Sequence, residues 1–395
     1  MPENCREFIS LRIAFDSWTL ASRFRHQGTY VYAKSLIAEF ERLAGEDQGL
    51  EFCLFASPVD SSDFNDASLI EPGRRFELSR TRLLTWDRLW RLGAVSLAAA
   101  RAHADLIFAP TASMLPLGPV PVICTIHDVT AIRMPSHSRK VTLLMRSLLW
   151  SSARFSRAVI TDSECSKRDL LEIYGLPESK VSVVYLGYDK CVFNGTASPA
   201  HEQQSLLKRV GIARPYILHH GTIQPRKNLK RLIAAYRLLI SRNKSFDFDL
   251  VLAGNLGWKY EEIMAAAVGG APGGRVVFPG TLSGHDLANL IKGAELAVIP
   301  SLYEGFCLPM VESMACGTPT IAARASCLPE VSGEVLRYFN PLSIEDMAGC
   351  MQQVLENNSL RRELVRRGTE RAAYFDWSRC ARETLNVFKR HVHNG

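Results

Sequence analysis

No run of 18 apolar residues occurs in this 395-residue chain, so no segment is expected to span a membrane. The most apolar stretches, around Ser96–Ala100 and Val141–Trp150, are broken by Arg101, Arg146 and similar charges. Met1–Ser10 is polar and Leu11–Trp18 is short and interrupted, so no secretory signal is expected. None of the ten cysteines has C-x-x-C spacing, which disfavours a zinc ribbon or a dithiol redox motif. Several lie inside apolar runs and read as small buried hydrophobes in a reducing cytoplasm, without a disulfide framework. A G-x-G-x-x-G fingerprint after the first strand is missing, which disfavours a dehydrogenase. G-x-x-x-x-G-K-[ST] and G-x-S-x-G are missing as well. Low-complexity tracts and repeats are lacking too.

The chain does contain the 47% hydrophobic and 22% charged residues of a globular protein, with a formal net charge of +7. Its length suits two domains of ordinary size. Short apolar runs alternate with helical patterns from end to end. Leu11–Phe15, Glu51–Ala56, Arg74–Leu78, Leu106–Ala109, Val120–Ile126, Ala158–Thr161 and Val181–Tyr185 read as strands in the first half. Thr29–Leu43, Arg82–Arg101, Arg139–Phe155 and Ser163–Tyr174 read as the helices between them. Gly, Asn, Pro, Ser and His collect over Gly187–Gln204, where an interdomain linker is expected. Alternation then restarts, with strands from Tyr216–His219 to Leu336–Phe339. The pattern predicts an α/β protein of two Rossmann-like, doubly wound parallel-sheet domains facing across a cleft. Residues 1–190 form the first domain and 191–375 the second. A last helix, 376–395, either caps the second domain or crosses back to the first.

Two stretches point to chemistry. Tyr303–Pro319, YEGFCLPMVESMACGTP, follows the strand Leu296–Ile299 and enters a helix near Pro309. Proline suits a helix start because its missing N–H would be unpaired there. The opening amides and the helix dipole suit a phosphate or sugar oxygen. Glu304 before the helix and Glu312 inside it would accept hydrogen bonds from sugar or ribose hydroxyls. Alternatively, they are a solvated loop residue and an exposed helix residue. In the second stretch, His219–Leu229, HHGTIQPRKNL, Arg226 and Lys227 precede a helix whose dipole they oppose. No carboxylate lies close to them in sequence. They suit a bound diphosphate, or they belong to an ordinary charged loop.

Together these stretches resemble the family 4 retaining glycosyltransferases of GT-B fold. Glu304-x7-Glu312 is similar to that family's Glu-x7-Glu motif, and Pro225-Arg226-Lys227-Asn228 to its basic donor-phosphate motif. Ser163–Asp189 and Phe375–Phe388 are similar to the family's end of the first domain and crossing-back helix. The resemblance implies that Glu304 holds donor-sugar hydroxyls and Glu312 the ribose. Arg226 and Lys227 then hold the diphosphate and stabilise the leaving nucleotide. Gly221, Thr222, Gly305, Phe306, Cys307 and Leu308 complete the donor site. Two departures stand out: Gly221-Thr222 replaces Gly-Arg, and Cys307 replaces a glycine and narrows the loop.

In the first domain, Gly28 opens a helix, either for close backbone approach or as a simple loop bend. His127-Asp128 ends a strand, and the resemblance places His127 near the transferred sugar. Asp247-Phe248-Asp249 looks like a D-x-D but opens an apolar strand, so no metal is expected. No cofactor and no nucleic-acid partner are expected.

The resemblance extends to bacterial surface-polysaccharide mannosyltransferases. It implies GDP-mannose as donor, with UDP- or dTDP-sugars as alternatives, and a glycan or polyprenyl-linked acceptor. A non-catalytic nucleotide-sugar-binding protein of the same fold is the alternative. Arg80–Arg91 interleaves four arginines with leucine and tryptophan. It reads as a peripheral contact with an anionic inner-membrane surface, or as a helix whose tryptophans pack inward.

Overall fold

A computed structural model describes residues 11–20, 28–47, 49–56, 76–80, 95–112, 114–134, 139–243, 246–268 and 274–392. Contacts divide the chain into two compact units. One comprises residues 1–129, 143–187 and 377–395, and the other residues 130–142 and 188–376.

The first unit is built on a seven-stranded sheet in the order β3-β2-β1-β4-β5-β6-β7. Its strands are β1 (Leu11–Asp16), β2 (Leu50–Ala56), β3 (Phe76–Arg80), β4 (Leu106–Ala109), β5 (Val122–Thr125), β6 (Ala158–Thr161) and β7 (Val181–Val183). Every described pairing is parallel. Strands β4, β5 and β6 are buried along their whole length, which is why they read as unbroken apolar runs. The principal helices are α1 (Gly28–Glu46), α2 (Val95–Arg101), α3 (Arg139–Phe155) and α4 (Glu164–Tyr174). Ser163 caps α4 by accepting from the Ser166 N–H, and Gly175 ends it in the left-handed conformation.

The second unit has six strands in the order β10-β9-β8-β11-β12-β13, again all parallel. They are β8 (Tyr216–His220), β9 (Asp249–Ala253), β10 (Val276–Gly280), β11 (Leu296–Ile299), β12 (Thr320–Ala323) and β13 (Arg337–Phe339). Helices α5 (Ala200–Val210), α6 (Leu229–Arg242), α7 (Glu261–Ala267), α8 (Gly284–Lys292), α9 (Leu308–Ala315), α10 (Leu328–Ser332), α11 (Ile344–Glu356) and α12 (Asn358–Ala372) accompany them. Helix α5 occupies the end of the Gly187–Gln204 stretch expected to be linker. It shows only one fully buried side chain, Leu206, so no apolar stripe announces it.

The last helix, α13 (Trp377–Val392), belongs to the first unit. Its Phe388 ring packs 4.9 Å from Phe108 of β4 and 6.0 Å from Phe40 of α1. At the surface, Arg42 donates to Ser378 at 2.7 Å. All nine described cysteines are free thiols, and seven are buried. Among the described residues no helix is long and apolar enough to cross a membrane.

Candidate active site

In the second unit the strand order reverses between β8 and β11, the neighbours from which the sheet grows outward both ways. Loops leaving the carboxyl ends of two such strands diverge and open a crevice. The loop after β8 carries Gly221–Asn228, and the loop after β11 carries Ser301–Cys307. Both motifs therefore meet at one switch point, although 77 residues separate Lys227 from Glu304.

The Glu304 carboxylate is buried and sits between two cations. Arg226 Nη1 donates to Oε2 at 2.5 Å and Lys227 Nζ to Oε1 at 2.6 Å. Arg226 also donates to the Tyr303 carbonyl at 3.0 Å, and its own carbonyl accepts from the Leu302 N–H at 2.9 Å. Burial disfavours the Glu304 charge, but Arg226 and Lys227 outweigh it and hold the carboxyl at about 2. Glu304 is thus neither a solvated loop residue nor open to a ligand without rearrangement. Likewise the cations are not without a carboxylate; their partner arrives from the other loop. Of the three, Arg226 keeps the most solvent contact, with 20% of its side chain exposed.

Ser326 fixes the Glu304 backbone. Its hydroxyl accepts from the Glu304 N–H at 2.8 Å and donates to the Glu304 carbonyl at 2.7 Å. Nothing near Glu304 in sequence signals this residue. Asn228, left-handed at φ 60°, separates the basic turn from α6 and donates to the Pro341 carbonyl at 2.7 Å.

Gly221 has φ 125° and lies over the site floor. A side chain there would come within 3.6 Å of both Lys227 Nζ and Pro309 Cγ. Thr222 follows it, half-buried. Gly305 and Phe306 are buried, and Phe306 packs edge-on against Phe375 at 5.2 Å. Leu308 opens α9, where Pro309 has no N–H to satisfy and the Met310 N–H turns back to the Cys307 carbonyl at 3.0 Å. Cys307 sits just before it at φ 77°, a conformation that favours glycine. Burial and Glu304 push its thiol up to about 12, so it is not a nucleophile at neutral pH.

Glu312 lies one turn inside α9, with 17% of its side chain exposed. Burial pushes its carboxyl up to about 7, Lys227 opposes this, and Asp189 adds to it. His220 Nδ1 lies 3.7 Å away, while its Nε2 meets Ser313 Oγ at 2.9 Å and ties β8 to α9. Burial lowers His220 to about 3, so it is neutral beside Glu312. A carboxyl raised from 4.5 in the unfolded chain binds its proton more tightly when folded. Stability therefore falls as pH rises from 4.5 through 7, and the penalty is complete above pH 7. Glu312→Gln is expected to stabilise the protein at pH 8 by about 2–3 kcal/mol and to be near neutral at pH 4. Denaturant melts at the two pH values check this; equal effects at both would refute the shifted carboxyl.

In the first unit His127 follows β5. Its Nδ1 meets Asp162 Oδ2 at 2.8 Å and its Nε2 the Pro110 carbonyl at 3.0 Å. Burial lowers the imidazole, but Asp162 outweighs it and the net direction is upward. Asp162, 35 residues away, was not legible as its partner. Gly28 opens α1, and among the described residues no heavy atom lies within 4 Å of where its Cβ would stand. Asp249 starts β9, at the end of the sheet opposite the site, and pairs with Arg275 at 2.8 Å. Asp247 pairs with Arg214 at 2.8 Å. The Arg80–Arg91 segment lies outside the described residues after Arg80.

Residues 28–190 match the family described as Glycosyltransferase Family 4, and residues 204–371 the family described as Glycosyl transferases group 1. The chain belongs to the family 4 glycosyltransferases. This glycosyltransferase is 28% identical over 293 residues to O-antigen chain mannosyltransferase B of Escherichia coli, covering 74% of this chain and 76% of the relative. It is 28% identical over 278 residues to the serotype-specific mannosyltransferase WbdA of the same organism, covering 69% of this chain but only 34% of that protein's length. Among solved structures, HepE of Anabaena in complex with UDP-glucose superposes with a TM-score of 0.71. That match covers 96% of this chain and 100% of HepE at 18% identity, a likeness of fold. The glycosyltransferase thus has the GT-B architecture of two Rossmann-like units.

Proposed function

We propose that this glycosyltransferase moves mannose from GDP-mannose to a hydroxyl of a glycan or polyprenyl-linked acceptor, with retention at the anomeric carbon. The observation that carries the reading is the buried Arg226–Glu304–Lys227 cluster at the β8/β11 switch point. A diphosphate that draws the two cations toward itself would leave the Glu304 carboxylate to accept from sugar hydroxyls. The mannosyltransferase relatives named above support the choice of sugar.

In the proposed step the bond from the anomeric carbon to the diphosphate oxygen breaks, its electron pair leaving with the diphosphate. The acceptor oxygen bonds to the same face, and its proton passes to the departing phosphate oxygen. Arg226, Lys227 and the start of α9 stabilise the charge that develops. Gly221, Thr222, Gly305, Phe306, Cys307 and Leu308 line the donor, and Glu312 holds the ribose. His127 serves the transferred sugar, and Gly28 allows close backbone approach to donor or acceptor. Because two side-chain cations serve the leaving group, transfer is expected to persist in excess EDTA.

The melting temperature should rise more with GDP than with UDP, dTDP or ADP at equal concentration, by linkage to the native state. A transfer assay with GDP-mannose and radiolabelled product then tests the reaction. A larger shift with UDP would replace the donor. No shift with any of the four, in a folded protein, would refute a nucleotide-sugar site.

A further inference from the structure

Glu304 is held at every polar group it has. Arg226 and Lys227 hold its carboxylate, and a single hydroxyl, that of Ser326, holds both its N–H and its carbonyl. Ser326 follows β12, the strand paired beside β11, so its loop leaves the same end of the sheet as the loop that carries Glu304. The hydroxyl also accepts from the Cys327 N–H at 2.6 Å. With one bond donated and two accepted, its hydrogen-bonding capacity is filled and its rotation is fixed.

Ser326 has φ 48°, a left-handed conformation that favours glycine. Serine there carries backbone strain that glycine would not, and such strain persists where other contacts outweigh it. Here two of the three side-chain contacts go to one residue, Glu304.

A donor acts differently on the two sets of tethers. Under the proposed function the diphosphate draws Arg226 and Lys227 toward itself, which releases the Glu304 carboxylate to the sugar hydroxyls. The ion-pair tethers are then gone, and the Ser326 clamp is what still fixes the Glu304 backbone. Misplacement by about 1 Å in an active site can cost about 10²-fold in rate.

We infer that Ser326 is a positioning residue for sugar transfer, acting through Glu304 once the two cations have moved to the donor phosphates. This rests on the proposed reading of Glu304 as the acceptor of sugar hydroxyls.

The test compares variants of the full chain. Ser326→Gly removes the hydroxyl and suits the backbone, so relief of strain offsets the lost hydrogen bonds and the melting temperature should stay within about 4 °C of wild type. Its Kd for GDP, by titration calorimetry, should stay within about twofold, because both cations are untouched. Transfer from GDP-mannose should lose about tenfold in kcat, with KM for the donor changed by less than about threefold. Ser326→Thr keeps the hydroxyl but puts a β-branched residue at positive φ. It should melt lower than Ser326→Gly and yet recover transfer to within about threefold of wild type. In the Glu304→Gln background Ser326→Gly should cost less than about twofold more, because the carboxylate it positions is already gone. A purely structural role would make transfer follow stability and would move GDP binding along with it.

Wild-type kcat in Ser326→Gly, GDP affinity that falls in step with kcat, or the same fold-loss with and without the Glu304 carboxylate would overturn the inference. So would a folded Ser326→Thr enzyme as slow as Ser326→Gly. Any of these beside a wild type that transfers mannose leaves the proposed function standing. If the wild type transfers another nucleotide sugar, the same ratios are read with that donor and its nucleoside diphosphate, and only the donor is replaced. A wild type that transfers from no nucleotide sugar would refute the proposed function and the inference with it.

Discussion

Glu304→Gln is expected to lower sugar transfer about 10²-fold, as for removal of one transition-state contact, yet to tighten the binding of free GDP. The second half follows from the ion pairs. In the structure Glu304 is the internal counter-charge of Arg226 and Lys227, at 2.5 and 2.6 Å. A diphosphate must draw both cations away from it. Glutamine keeps the shape but removes the negative charge, so the cations meet the diphosphate uncompensated. A gain of about tenfold in affinity corresponds to roughly 1.4 kcal/mol, small beside the pairing it replaces. The sugar, by contrast, loses a carboxylate acceptor for its hydroxyls, and transfer suffers.

The same substitution should lower stability, because it leaves two cations beside a neutral amide. Breaking a buried pair costs about 3–5 kcal/mol. The wild-type carboxyl is held at about 2, below its unfolded value, so its contribution is present above pH 4.5 and is lost only as pH falls through 2. The variant's deficit should therefore persist from pH 5 to 8. Titration calorimetry with GDP, a transfer assay and thermal melts decide the matter together. Full transfer activity in a folded Glu304→Gln enzyme would remove this residue from the active site. Weaker GDP binding would show that its carboxylate helps the nucleotide and does not compete with it.

The strands were legible because a parallel sheet covered on both faces needs continuous apolar runs. Leu106–Ala109 and Leu296–Ile299 are such runs and coincide with β4 and β11. Helix α12 was missed for the opposite reason. Its sequence, NSLRRELVRRGTERA, buries only Leu364, Gly368 and Ala372, so two of its three inward positions are small residues that carry no periodic signal. In the site, residue types and their local setting were readable, but pairing was not. Lys227 and Glu304, His127 and Asp162, and Ser326 and Glu304 are brought together by sheet order, which a linear reading does not contain. The raised carboxyl of Glu312 was hidden too, since it depends first on burial, with Asp189 adding to it from far away in sequence.

Lys227→Met should destabilise the protein by about 3 kcal/mol and weaken GDP binding by about 1.5–3 kcal/mol, but for different reasons. Lys227 is buried, so its loss leaves the Glu304 carboxylate with one counter-ion where it had two. Desolvation then weighs more heavily against its charge. The binding loss is separate and comes from one fewer charge-assisted bond to the diphosphate. A second substitution distinguishes the two effects. In Lys227→Met/Glu304→Gln the buried carboxylate is gone along with its cation, and the apolar methionine stem fills the space of the lysine stem. Stability should recover to within about 1–2 kcal/mol of wild type, a coupling of the size expected for residues in one ion-pair network. GDP affinity should recover only in part, because losing the carboxylate frees Arg226 but Arg226 alone remains to meet the phosphates. Urea melts of the four proteins give the coupling, and calorimetry with GDP gives the binding arm. Purely additive stability losses would mean that Lys227 and Glu304 do not act as counter-ions. Unchanged GDP affinity in Lys227→Met would take the lysine out of the phosphate site and leave it a structural partner of Glu304.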